Sequence, residues 1–249
     1  SGTVRLFGRP SGDPAARARL GYLPGDLRLD PRLTAEQTMD FFTRLRPAHR
    51  APSRPSRREE ICTRLGLGRE DRRKLVRDLS RGTLQKLGLV LAFQHDPDLL
   101  VLDEPTTSLD PLVRGALFEM IAEAGRAGRT VFHSSHVLAE VDRTCTRVGM
   151  VRQGELLRVD RVDALRQSSV RRVEVRFAGE IPREELARAG AVLVEAEGRR
   201  AVLRVAGSIQ PLIAALARHP VESLVMPEPG LEETFLHLYR PEKTGGPGS

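Results

Sequence analysis

The stretch Asp98-Leu99-Leu100-Val101-Leu102-Asp103-Glu104-Pro105-Thr106-Thr107-Ser108-Leu109-Asp110-Pro111 decides how the chain is read. Leu99 to Leu102 form a short unbroken apolar run closed by carboxylates and a proline. That pattern predicts a strand buried on both faces, as in a parallel sheet. Asp103 and Glu104 then fall at the strand's carboxyl end, the edge where open α/β sheets bind their ligands. Beyond Pro105-Thr106-Thr107, Asp110 is placed to N-cap a helix whose first position is Pro111. A core strand with an acidic turn behind it would account for the aliphatics alone. It leaves the paired carboxylates and Ser108-Leu109-Asp110-Pro111 unexplained. Hydrolysis of a nucleoside triphosphate needs a carboxylate near Mg2+ and another group to position the attacking water. Asp103 and Glu104 can supply both.

LLVLDEP followed by SLDP resembles the Walker B strand and D-loop of ABC-transporter ATP-binding subunits. Two other stretches agree, in the order that family has them. Upstream, Ser80 caps a predicted helix with Leu84, Leu87, Val90 and Leu91 on its apolar face. A hydroxyl, bare backbone N–H groups and the helix dipole at that start favour an anion. Leu79-Ser80-Arg81-Gly82-Thr83-Leu84-Gln85 resembles the ABC signature in its LSxGxxQ form, with Arg81 in place of one glycine. Downstream, Thr130-Val131-Phe132 begins another strand expected to be buried, followed by His133-Ser134-Ser135-His136. The SSH-x-L-x-E-V pattern selects His136 over His133 as the family's switch histidine.

The resemblance implies an α/β fold: an ABC-type P-loop NTPase core, incomplete at its N-terminus, with a helical subdomain over about residues 30–95. It implies ATP and Mg2+ as cofactors, with Asp103 toward the metal and Glu104 polarising the attacking water. His136 would contact the terminal phosphate. Ser80, Gly82 and Gln85 of the signature would serve the nucleotide held by a second subunit, and Asp110 would link the two sites. The implied partners are another ATPase subunit, identical or different, in a head-to-tail dimer, and a separate membrane permease. The chain would then be cytoplasmic, peripheral on the inner face of the cell membrane. The tail EPGLEETFLHL resembles that of subunits serving drug and antibiotic exporters.

Composition is compatible with that reading. The 249 residues are 40% hydrophobic and 29% charged, as in a soluble globular protein, and no apolar run is long enough to span a bilayer. Cys62 and Cys145 show no metal-ligand spacing, so both are read as reduced structural thiols. The formal charge of +7 invites nucleic acid as a partner, but Trp is absent and Tyr occurs only twice, leaving few stacking platforms. Nucleic acid is therefore the lesser reading. The alternatives kept open are a non-transport ABC protein acting on nucleic acid or ribosomes, and a regulatory remnant that never hydrolyses.

The remaining segments set further expectations. Thr3 to Gly8 reads as a strand, Gly12-Asp13 precedes an Ala/Arg-rich helix, and Leu20 to Pro24 is a second strand. No G-x-x-x-x-G-K-[ST] occurs and no lysine precedes Lys74, so no loop here would cradle phosphates. The expectation is a fragment, or a degenerate protein, whose 249 residues alone are inactive as an ATPase. Gly25 stands where the family has its Q-loop glutamine and is read as a structural turn. Thr34 with Gln37, and Ser56 with Glu59, predict capping boxes. The basic run from Arg44 to Arg58, with a lone His49, reads as a solvated connection. Val148 to Val151 and Leu156-Leu157, joined through Gln153-Gly154, resemble the hairpin that closes the family's ATPase domain, which is expected over 1–167. Gln167-Ser168-Ser169 reads as a linker to an α+β, ferredoxin-like C-terminal domain over 170–240, with strand-helix-strand-strand-helix-strand order. Leu231, Phe235 and Leu238 mark a last amphipathic helix, and 241–249 a disordered tail.

Overall fold

The computed structural model describes residues 2–45, 56–168 and 171–227, which fall into two compact units, Ser1–His136 and Val137–Ser249. The first unit opens on a hairpin, not the single strand expected over Thr3 to Gly8. β1 (Arg5–Leu6) pairs antiparallel with β2 (Arg9–Pro10) through Phe7 and Gly8, whose φ angles are 52° and 77°. Two successive positive φ angles give the turn whose twist suits a hairpin. A phenylalanine rarely takes that conformation, and here its ring lies 3.9 Å under the Arg19 guanidinium.

Asp13 caps the four-residue α1 (Pro14–Arg17) by accepting the Ala15 N–H, and β3 (Leu20–Leu23) follows. Thr34 and Gln37 form the expected reciprocal capping box ahead of α2 (Ala35–Arg44). The second box, at Ser56 and Glu59, does not form before α3 (Arg58–Arg64): Arg57 occupies the cap position without a side-chain capping bond. Ser56 instead donates to the Gln94 carbonyl, and Arg72, in α4 (Arg69–Arg73), takes both oxygens of Glu59. Nor are Arg57 and Arg58 free in solvent as expected; they hold Glu60 and Asp40 in two-pronged contacts. Residues 46–55, with His49, lie outside the described residues.

Ser80 caps α5 (Arg81–Phe93), accepting the Thr83 N–H at 3.1 Å. From Leu87 to Phe93 this helix is buried all round, not on one face only, because it packs on β3 and against α2 and α3. β4 (Leu99–Leu102) is the middle of a parallel sheet of order β3-β4-β5, ahead of α6 (Pro111–Arg126) and β5 (Thr130–His133). Leu23, Leu100 and Leu102 on one sheet face are at most 1% exposed and join the core with Leu87, Leu117 and Ile121. The other face is more open than the expectation of doubly buried strands. Leu99 and Val101 are half-buried, and Tyr22 and Phe132, flanking Val101 in register, are 56% and 68% exposed.

The second unit begins with α7 (Leu138–Thr144) and a hairpin of β6 (Arg147–Arg152) and β7 (Glu155–Arg161), turning at Gln153 and Gly154 as expected. α8 (Val162–Ser168) follows, so Gln167 and Ser168 are helical and not a linker. Val141, Met150, Val162 and Leu165 form a small core there. β8 (Arg171–Phe177), α9 (Arg183–Arg188), β9 (Ala191–Glu197), β10 (Arg200–Val205), α10 (Gln210–Leu216) and β11 (Val221–Val225) then keep the expected order. Their strands make an antiparallel sheet, β11-β8-β10-β9, over a core including Val173, Val175, Phe177, Leu203 and Leu212. Leu231, Phe235, Leu238 and the stretch 241–249 lie outside the described residues. Both cysteines are free thiols, and burial pushes each above its ordinary pKa. Among the described residues no helix is long and apolar enough to cross a membrane.

Candidate nucleotide site

The site grows from the carboxyl ends of β4 and β5. The ladder runs one step past each strand: Asp103 donates its N–H to the Leu23 carbonyl at 2.9 Å, and Ser134 donates to the Leu102 carbonyl at 3.0 Å. This fixes Asp103 and Ser134 side by side on the same edge. The Ser134 hydroxyl donates to Asp103 Oδ1 at 2.5 Å and accepts the Glu104 N–H at 2.8 Å. Glu104 turns the chain with φ of 47°, in the left-handed region, and its Oε2 lies 2.8 Å from His136 Nδ1. The structure thus gathers Asp103, Glu104 and His136 at one edge, with Asp103 and His136 exposed. His133, by contrast, turns its Nδ1 to the Ser134 carbonyl at 3.4 Å.

Gly25 adjoins the same carboxylate. A Cβ at that position would lie 2.7 Å from Asp103 Oδ2, so the Pro24-Gly25-Asp26 bend brings bare backbone against the acid. The glycine is therefore both a turn residue and a wall of the site.

The signature residues line the other side of the loop after Glu104. Gln85 reaches from α5 to donate to the Glu104 and Pro105 carbonyls at 3.3 and 3.2 Å. A Cβ on Gly82 would stand 2.7 Å from the Ser108 carbonyl oxygen, so the first turn of α5 sits directly on the loop. Ser108 itself has φ of 62°. Asp110 caps α6 by accepting the Val113 N–H at 3.0 Å. That bond holds its carboxyl below the usual range, and Lys86, 3.7 Å away, acts in the same sense. Ser80 is spent locally, its Oγ 2.8 Å from Thr83 Oγ1. Gln85 and Gly82 thus contact the acidic loop of their own chain, and Lys86 joins them through Asp110. The motif itself did not signal that arrangement.

Among the described residues no three His, Cys, Asp or Glu side chains converge to hold a metal ion by themselves. A single exposed carboxylate such as Asp103 suits Mg2+, which prefers one or two carboxylates with water and substrate phosphates completing its shell. Ser134, which touches both acids, went unmarked in the sequence. Its only signal there was a polar pair between a strand and His136.

The fold that carries these residues is shared with solved ATP-binding cassettes. The dimeric structure of the cassette MJ0796 in a post-hydrolysis state bound to ADP and Pi aligns with a TM-score of 0.56 and 19% identity, over 65% of this chain and 74% of that one. The ABC transporter family model matches residues 1–107. This chain is 30% identical over 245 residues to the Nod factor export ATP-binding protein I of Burkholderia orbicola AU 1054, across 96% of this chain and 79% of that protein. It therefore belongs to the ABC transporter ATP-binding family. It is similar also to the linearmycin resistance ATP-binding protein LnrL of Bacillus subtilis 168, at 27% identity over 96% of this chain and 80% of that one. An uncharacterized ABC transporter ATP-binding protein of Synechocystis, sll0415, is 36% identical over 63% of this chain. The chain spans 44% of the length of that relative and 48% of a comparable one from Nostoc, about half of each.

Proposed function

We propose that this chain belongs to the ATP-hydrolysing subunit of an ABC-type exporter, and that its 249 residues, which hold no G-x-x-x-x-G-K-[ST], do not hydrolyse ATP by themselves. The observation that carries the reading is the Glu104 carboxylate, 2.8 Å from His136 Nδ1 and one residue past Asp103 at the edge of the parallel sheet. Asp103 would hold Mg2+ through water, and the ion when bound would offset charge on the phosphates. Glu104 accepts a proton from, and so orients, the attacking water. His136 meets the terminal phosphate. Ser80, Gly82 and Gln85 place the start of α5 toward a nucleotide held by a second cassette, and Asp110 lies on the joint between the sites. Residues 1–167 act as the ATPase domain and 170–240 as an accessory one.

The partners proposed are a second ATPase subunit and a separate permease, which would hold the chain at the inner face of the membrane. The dimeric cassette MJ0796 supports the first. The cargo class proposed is hydrophobic compounds, including drugs or antibiotics; relatives named for linearmycin resistance and Nod factor export support it. The test is Glu104→Gln in the polypeptide expressed from its complete reading frame. ATP binding should persist while turnover falls at least on the order of 10²-fold. Turnover near that of the unaltered protein would remove Glu104 from the chemistry.

A further inference from the structure

Glu104 presents a problem that its own side chain does not solve. Its φ of 47° is unfavourable for a residue with a Cβ, so the backbone relaxes unless neighbours hold it. Gln85 restrains the carbonyl side of this residue, at 3.3 Å. On the amide side the restraint is the Ser134 hydroxyl, which accepts the Glu104 N–H at 2.8 Å. The same oxygen donates its single proton to Asp103 Oδ1 at 2.5 Å. A hydroxyl has one proton and two accepting lone pairs; here the proton goes to the Asp103 carboxylate and one lone pair receives the Glu104 amide. The relay from amide to hydroxyl to carboxylate also strengthens each link, because a hydroxyl that donates to an anion is a better acceptor.

We propose that Ser134 is a positioning residue which sets both acidic groups of the site at once, the Asp103 carboxylate by donating to it and Glu104 by receiving its backbone N–H. Its own place is fixed by the N–H it gives to the Leu102 carbonyl at 3.0 Å, which ties it to the strand that carries both acids. With its one proton committed to Asp103, Ser134 has none for a phosphate or a water. Its effect is therefore exerted through Asp103 and Glu104. His136 follows Ser134 by two residues and meets Glu104 from the other side, so the strand end that presents the histidine also aims the carboxylate opposite it. The proposal rests on the hydrolytic reading given above.

The test compares the unaltered polypeptide, expressed from its complete reading frame, with Ser134→Ala, Ser134→Cys, Ser134→Thr and Glu104→Gln. Two measurements are made: hydrogen exchange of the Glu104 amide without nucleotide, and kcat and KM for MgATP. Cysteine nearly preserves volume but is a weak hydrogen-bonding partner, so it separates the hydroxyl's role from packing. In the Ala and Cys variants the Glu104 amide should exchange about tenfold faster or more. Their kcat should fall about tenfold while KM for MgATP rises no more than about threefold, since both acids remain and lose their aim more than their charge. Threonine should restore both quantities to within about threefold. Exchange and kcat within about twofold of the unaltered protein in both Ala and Cys variants would overturn the proposal. A collapse of turnover in Glu104→Gln alongside unchanged Ser134 variants would do the same while leaving the hydrolytic reading intact. Equal turnover in the unaltered protein and Glu104→Gln, with the exchange contrast present, would sink the hydrolytic reading yet support the hold of Ser134 on the loop.

Discussion

Gly82 and Ser108 meet backbone to backbone: a methyl group at the glycine would sit 2.7 Å from the serine's carbonyl oxygen. The oxygen belongs to main chain in a loop already bent through a positive φ at Ser108, so it has little freedom to retreat. Gly82→Ala should therefore destabilise the first unit by about 1–3 kcal/mol, the usual cost of overpacking. The measurement is a denaturant midpoint, with α5 helicity as a control. An unchanged midpoint would mean the loop shifts freely, contrary to the close seating described.

Gln85 makes a second prediction, about charge. Its amide donates to two carbonyls, those of Glu104 and Pro105. Gln85→Leu removes the donors and should cost about 0.5–1.5 kcal/mol. Gln85→Glu should be worse near neutrality, because a carboxylate has no proton to give and would face two oxygens. Protonation of that new carboxyl is favoured in the folded state, which raises its folded pKa above its unfolded one. Stability of the Glu variant should then recover as pH falls through that raised value. Melting temperatures of both variants at pH 7 and pH 5 decide it; a Glu variant as stable as the Leu variant at both would contradict the geometry.

The helical subdomain is joined to the core by charge as well as by the apolar packing of Met39, Ile61 and Leu65. Arg64 in α3 grips both oxygens of Glu123 in α6 at 2.6 and 2.9 Å. The Arg64 guanidinium holds the Glu123 carboxyl below its ordinary range, as Arg72 does for Glu59 and Arg57 for Glu60. A carboxyl whose folded pKa is depressed adds stability above its unfolded pKa, and that stability is lost as pH falls through the folded value. Stability should thus be flat in this respect from about pH 7 to 5 and decline below about pH 4. Arg64→Ala should cost about 1 kcal/mol or less at pH 7, since solvent screens these half-exposed partners, and should flatten the acid limb. Urea midpoints across pH check both; an equally steep acid limb in the variant would place the loss elsewhere.

Asp110 offers a simpler case. It caps α6 through the Val113 N–H at 3.0 Å. Asp110→Ala should cost about 0.5–2 kcal/mol, and Asp110→Asn much less, because the amide oxygen can still accept that bond. Equal losses in the two variants, read by thermal melts, would point to the charge and not the cap.

What could be read in the sequence divides along a physical line. Features settled within a few residues came through: the apolar run Leu99 to Leu102, the caps at Thr34, Ser80 and Asp110, the turn at Gln153-Gly154, and the element order of 171–225. The Ser56 box failed although its spacing was right, because Arg72, 13 residues from Glu59 along the chain, claimed the glutamate. The hairpin at Phe7-Gly8 was missed since phenylalanine is a poor turn signal. Of the site, the acids and His136 were legible as a motif. The Ser134 bridge to Asp103 spans 31 positions and the Gln85 bond to Glu104 spans 19, and no local pattern encodes either.

The backbone at residue 104 carries a consequence for how this sequence persists. A left-handed φ of 47° suits glycine or asparagine and burdens glutamate by about 1–2 kcal/mol. Glycine or asparagine at this position would relieve that burden, at the loss of the carboxylate. The same bend that aims a carboxylate at residue 104 thus leaves the fold more at ease without one, so stability and the proposed chemistry pull this position in opposite directions.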